Sequence, residues 1–127
     1  MKSFQFENEH AYHDDKALVS VRLLGTRIPT WVQMTIDTGA EISVLNRSLA
    51  SQLRLKVEEG RSVGLKVANG DIAAAYVHEV AIDFVGRRLT IPVLICPEWD
   101  TENLLGMRGF LDQMVIAFDH AQKRIYF

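Results

Sequence analysis

The stretch Met34-Thr35-Ile36-Asp37-Thr38-Gly39-Ala40-Glu41 decides how the chain reads. Its first residues continue a strand-like run that begins at Ile28. An aspartate directly after such a run stands at a strand end, where a loop can present it. Thr38 adds a hydroxyl that can fix the loop by hydrogen bonds. Gly39 has no Cβ, so another backbone can approach it closely. Asp-Thr-Gly in isolation is weak evidence, and a plain turn is its simpler reading. The rest of the chain raises its meaning.

Working outward, Ala17 to Leu24 reads as a strand, Gly25-Thr26-Arg27 as a turn, and Ile28 to Ile36 as the returning strand. After the break at 37–40, Ile42 to Leu45 resumes the strand pattern. Asn46 to Leu53 reads as a short helix, with Asn46 as cap and Leu49 and Leu53 at helical spacing. A long hairpin follows: Ser62 to Ala68, a turn at Asn69-Gly70, then Asp71 to Phe84. Asn-Gly between two strand-like runs is a strong hairpin signal. Gly86 makes another turn, and Arg87 to Ile95 another strand. Leu104-Leu105-Gly106 precedes a helical patch around Phe110-Leu111-Asp112. Val115 to Asp119 and Lys123 to Phe127 form a last pair across His120-Ala121-Gln122. Many short strands with one or two short helices predict a mostly β domain with a closed or sandwiched sheet. Residues 1–16 stand apart as an acidic arm or extra strand ahead of a domain over 17–127.

The 127 residues suffice for one ordinary domain and exclude an enzyme with two full lobes in this chain. A 48% hydrophobic and 24% charged composition excludes disorder, collagen-like repeats and a coiled coil. Fourteen Lys and Arg against sixteen Asp and Glu give a net charge of -2, so no basic excess points to nucleic acid or a membrane. The opening residues turn polar and acidic at once, without the apolar core of a signal peptide. The longest apolar stretch, Leu89 to Cys96, is broken by Thr90 and Pro92 and is too short to span a bilayer. The single cysteine, Cys96, reads as a small buried thiol. A cytoplasmic protein is expected.

This order of parts resembles the retropepsin-like aspartic proteases, the single-lobed relatives of pepsin that include the retroviral enzymes. The resemblance runs from about Ala17 to Phe127. It rests on the apolar run into Asp37-Thr38-Gly39-Ala40, on Ile42-Ser43-Val44-Leu45, on the hairpin, and on Leu104-Leu105-Gly106. The stretch from Phe110 to Asp119 also resembles stand-alone microbial and retroelement-derived members. The fold implied is a single-lobed acid-protease β-barrel. By the resemblance Asp37 is the catalytic aspartate, and the hydroxyl of Thr38 reaches a partner's loop. Gly39 contacts substrate, and Leu105 and Gly106 brace the catalytic loop. Ala40 and Glu41 fall in the substrate-binding stretch, with Glu41 where retroviral members usually carry an aspartate. Asn69, Gly70 and Asp71 fall at the tip of a flap closing over substrate. Met107 follows the Leu-Leu-Gly element where retroviral members carry an arginine, and Arg108 is one candidate partner for Glu41.

The chemistry fits this pattern. Peptide hydrolysis without a metal needs a base to activate water and an acid to protonate the substrate. Two carboxylates sharing one proton do both, because neighbouring like charges resist joint ionisation. The chain has one Asp-Thr-Gly, so the implied enzyme is a homodimer acting on an extended polypeptide, with no metal and no cofactor. In the resembling family the termini interleave at the interface, and Arg124 to Phe127 is strand-like and apolar enough to do so. The rival reading is a non-catalytic dimeric peptide-binding module on the same fold. His10 and His13 read as part of a solvated arm ahead of a metal site. Trp31 and Trp99 read as core or interface aromatics. Ser43 lacks the Gly-x-Ser-x-Gly context of a nucleophile.

Overall fold

The computed structural model describes every residue except Val67. The reading of a flap strand through Ser62–Ala68 includes Val67, which lies outside the described residues. Ten strands follow in chain order: β1 (Glu9–Ala11), β2 (Leu18–Leu23), β3 (Thr30–Ile36), β4 (Ser43–Val44), β5 (Arg61–Lys66), β6 (Ile72–Phe84), β7 (Arg87–Ile95), β8 (Leu104–Leu105), β9 (Ala117–Asp119) and β10 (Arg124–Tyr126). The strand readings largely hold. β7 starts and stops where the sequence predicts, while β3 starts late, at Thr30. Pro29 has no N–H to give to a ladder, and Ile28 before it is exposed.

Alternation builds the barrel wall. Val19, Val21 and Leu23 of β2 and Val32, Met34 and Ile36 of β3 point inward, while Ser20, Arg22, Trp31 and Gln33 point out. The strands pair in the order β2-β3-β8-β4-β7-β6, and β6 returns to β2 through Arg22↔Asp83 and Leu23↔Ile82. Six strands therefore close on themselves, and β5 stands outside as a hairpin partner of β6. The interior is filled by Phe84, Phe110, Met34, Leu45, Ile91 and Leu105, all buried. Burying one such side chain contributes about 1.5–3 kcal/mol. Trp31 and Trp99, expected as core or interface aromatics, are exposed on the single chain at 65% and 48%. Trp31 occupies an outward position of the alternating β3, which keeps it out of the core.

The helix expected over 46–53 is a single 3-10 turn, Arg47–Leu49. The Asn46 side chain caps it by accepting from Ser48 N, as its residue type predicts. Further turns replace a second helical turn, and Arg54, at φ 58, ends the segment in a left-handed conformation. The patch near Phe110 is likewise a 3-10 turn, Leu111–Gln113. No helix among the described residues is long and apolar enough to cross a membrane.

A second sheet, β1-β10-β9, lies beside the barrel. Its register pairs His10 with Ile125 and Ile125 with Phe118. The acidic arm thus supplies a strand, and Asn8 and Phe127 exchange backbone hydrogen bonds of 2.8 and 3.1 Å. Both edges of Arg124–Tyr126, part of the segment that the resemblance implies interleaves at a dimer interface, are consequently occupied within the chain by β1 and β9. The arm turns back into β2 through Asp14 and Asp15, at φ 50 and 59, between His13 and Lys16, which bond to each other in both directions. Asp is one of the few residues that tolerates this left-handed turn.

Candidate active site

β3 ends at Ile36, and Asp37 begins the loop that follows. Two neighbouring segments hold the end of β3. Ile36 N donates to Ala17 O, while Thr35 N donates to Asn103 O and Asp37 N to Leu105 O, at 2.9–3.0 Å. The second pair comes from Asn103 and from β8, which runs parallel to β3 with Thr35↔Leu104 and Ile36↔Leu105. Asp37 is half-buried, and its Oδ1 accepts from Gly39 N at 2.8 Å. The loop therefore fixes one carboxylate oxygen with its own backbone. Ala40 N donates to Asp37 O at 3.2 Å and completes the turn.

The outer half of the loop is bound to the residues after β8. Met107 N donates to Ala40 O and Arg108 N to Glu41 O, both at 2.9 Å, and the Arg108 guanidinium pairs with the Glu41 carboxylate. Gly106 sits where the two segments touch. A Cβ there would fall 2.6 Å from Ala40 O and 2.9 Å from the carbonyl carbon of Ile42, so only glycine fits without a shift. Gly106 N donates to Ser43 Oγ at 2.9 Å, and Ser43 is fully buried. Hydrogen bonds thus tie Asp37 to Gly39, Ala40 and Leu105, and tie Ala40 and Glu41 to Met107 and Arg108, the residues that follow Gly106. Thr38 is exposed and lines a depression of about 300 Å³ with Tyr12, Lys16, Phe118 and His120. Across that depression Tyr12 Oη and His120 Nδ1 are 2.8 Å apart, and desolvation, then the Asp119 carboxylate, push the Tyr12 phenol pKa up.

β5 and β6 form the long hairpin expected as a flap. Its root shares a small apolar cluster with the segment that follows the Asp37 loop: Ala75 and Val77 pack with Ile42, Val44, Leu94 and Cys96. The tip residues Asn69, Gly70 and Asp71 are exposed, and their side-chain hydrogen bonds run among themselves, apart from the network of the Asp37 loop. Asn69 Oδ1 accepts from Asp71 N at 2.9 Å, and Gly70 takes φ 90.

Residues 29–113 match the family described as "gag-polyprotein putative aspartyl protease". The chain belongs to that family. As a fold, the retropepsin-like barrel is similar to a retropepsin-like aspartic protease from Rickettsia conorii, at 16% identity and a TM-score of 0.71. That match covers 94% of this chain and 97% of the other. It is also similar to EIAV protease complexed with the inhibitor HBY-793, at 20% identity and a TM-score of 0.54, covering 83% and 88%. No curated protein matches the chain.

Within this retropepsin-like chain, sequence reasoning overlooked Ser43 as a brace. The available signal was a lone hydroxyl inside the apolar run Ile42-Ser43-Val44-Leu45, where burial demands a hydrogen-bond partner. His10 and His13 serve local contacts. The His10 ring lies 5.0 Å from that of Phe127, and His13 Nε2 lies 3.6 Å from Asp14 Oδ2. Among the described residues, no group of three or more His, Cys, Asp or Glu is arranged to hold a metal ion.

Proposed function

We propose that this chain is an aspartic endopeptidase that acts as a homodimer, with one Asp37 carboxylate from each copy activating a shared water. The observation that carries this reading is the presentation of Asp37: a half-buried carboxylate at a strand end, with Oδ1 held by Gly39 N on a loop braced by β8. Such a loop sets a carboxylate with little freedom to reorganise, which general acid–base catalysis rewards. One chain brings one such loop, so a second copy supplies the partner acid.

In this reading one carboxylate is charged and takes the water's proton. The other is protonated and donates to the carbonyl oxygen of the scissile bond. Water adds to the carbonyl carbon, and the tetrahedral species collapses as the amine leaves with a proton from the dyad. Thr38, exposed on each copy, meets the partner's loop. Gly39, Ala40 and Glu41 contact the extended peptide from below, and Asn69, Gly70 and Asp71 cover it from above. The flap adds strand-like hydrogen bonds and excludes bulk water. The buried Cys96 thiol, without a disulfide, supports a cytoplasmic setting.

The test compares wild type with Asp37→Asn on an unfolded polypeptide at mildly acidic pH. Cleavage by wild type and at least about a thousandfold loss in the variant are expected, since removal of one essential catalytic group costs on that order. Equal cleavage by both would refute the assignment. Wild type that captures the peptide and releases it uncut would mark a binding module instead.

A further inference from the structure

We propose that the depression between the β2–β3 turn and the segment entering the flap is a binding site for a phosphate monoester. Its volume is about 540 Å³, and Arg27, Ser51, Gln52, Arg54, Leu55 and Lys56 line it. Three cationic residues border it with no carboxylate in the lining, in a chain whose acids outnumber its bases. Arg47, Arg108 and Arg124 are neutralised by Asp100, Glu41 and Glu9, whereas Arg22, Arg61, Arg87 and Arg88 make no ion pair among the described residues, so what distinguishes Arg27 and Arg54 is that they share one depression with Lys56. Arg27 and Arg54 have no ion pair and no side-chain hydrogen bond among the described residues, and Lys56 has only a 3.9 Å approach to Glu59.

The roots of these side chains are set by backbone bonds. Arg27 N donates to Gln52 O at 3.2 Å and joins the two loops. Leu55 N donates to Ala50 O at 2.9 Å, and Arg54 N to Ser51 O at 3.1 Å, closing the turn that carries Arg54. Two loops knitted this way fix, before any ligand arrives, the backbone from which the cations project, which lowers the entropic cost of binding.

The donor set selects the ligand. Each guanidinium offers a planar fork of N–H groups that suits paired oxygens on phosphorus. A phosphate monoester carries a charge of about -1.5 to -2 at neutral pH and three terminal oxygens, matching two forks and an ammonium. A lone carboxylate, with one charge and two oxygens, leaves part of that set unused. The depression exceeds what bare phosphate fills and lies in the range of small-molecule pockets, about 300–1,000 Å³, leaving room for the organic substituent. Arg27 precedes β3 and Asp37 follows it, so the length of that strand, on the order of 20 Å, separates this site from the catalytic loop. Occupancy leaves the catalytic loop free.

The phosphate can belong to a small organic molecule or to a phosphorylated side chain of a polypeptide. Calorimetric titration of the full Asp37→Asn chain with phenyl phosphate, a phosphoserine peptide and its unphosphorylated form separates these sources. Saturable binding of a phosphorylated probe, weakened at least tenfold in Arg27→Gln/Arg54→Gln and unchanged in Arg61→Gln/Arg88→Gln, is the expected result. Tighter binding of the phosphopeptide assigns the site to polypeptide, and tighter binding of phenyl phosphate to a small molecule. No saturable binding, or equal affinity in the Arg27/Arg54 variant, overturns the proposal, as does an equal loss in the control pair. Should the double variant not fold, the side-chain Nε–H resonances of Arg27 and Arg54 in the otherwise unaltered chain decide. Their movement on adding phenyl phosphate supports the site, and their stillness overturns it.

Discussion

A methyl group on Gly106 would press on the carbonyls of Ala40 and Ile42, the backbone that leads away from Asp37. The Gly106→Ala variant is therefore expected to lose about 1–3 kcal/mol of stability, as over-packed sites do. It is also expected to lose cleavage activity at temperatures where it remains folded. Urea unfolding followed by peptide cleavage separates the two effects, and an active, fully stable variant would show that the brace is unimportant. Cys96 offers a second measurement. Burial pushes its thiol pKa up, so the unfolded thiol ionises first as pH rises. Its contribution to stability is whole below the ordinary thiol value, about 8.5, and is lost as pH climbs through the raised one. Unfolding free energy should fall over that alkaline range in the wild type and fall less in Cys96→Ala. At this scale the sequence announced the acid but hid its support. Asp37-Thr38-Gly39 is contiguous, whereas Ser43 and Gly106 meet only because β8 returns to β4, with Leu104 opposite Val44.

The flap shows what a local pattern can and cannot carry. Asn69-Gly70 does mark the hairpin, because Gly70 accepts the positive φ that the reversal needs. Yet Asn69 is absent from the positive-φ residues, unlike the first residue of the usual two-residue Asn-Gly turn. Its side chain closes the turn instead, through Asp71 N and the Asp71 carboxylate. Asn69→Ala is expected to speed amide exchange at the flap tip by several-fold, with the barrel amides unaffected, since one such bond is worth about 0.5–1.5 kcal/mol. Unchanged exchange at the tip would show that the Asn69 side chain does not set the turn. β7 was readable to the residue because a glycine turn precedes it and a proline follows it. The helix over 46–53 was not, because Leu49 and Leu53 fit helical spacing while Arg54 leaves the helical region one residue later. Parallel pairing of β3 with β8 leaves no periodic trace in either segment, and the resemblance, not the alternation, pointed to their association.

For the molecule as a whole, the proposed site is incomplete in one chain, and a mixing experiment tests this directly. Adding an equal amount of Asp37→Asn chain, with time for subunits to exchange, leaves wild-type pairs as about one quarter of all dimers. Activity should then drop to about half that of the wild-type chain alone at the same amount. Activity that ignores the added variant would mean that each chain works by itself. The pairing of Asn8 with Phe127 has a consequence of another kind. The residue ahead of the first strand and Phe127 are hydrogen-bonded neighbours, so the order of segments along the chain is one of several that this architecture can accommodate. A short linker from residue 127 to residue 8, with new ends opened at the exposed Gly86 turn, would give a circular permutant that keeps every ladder of the barrel.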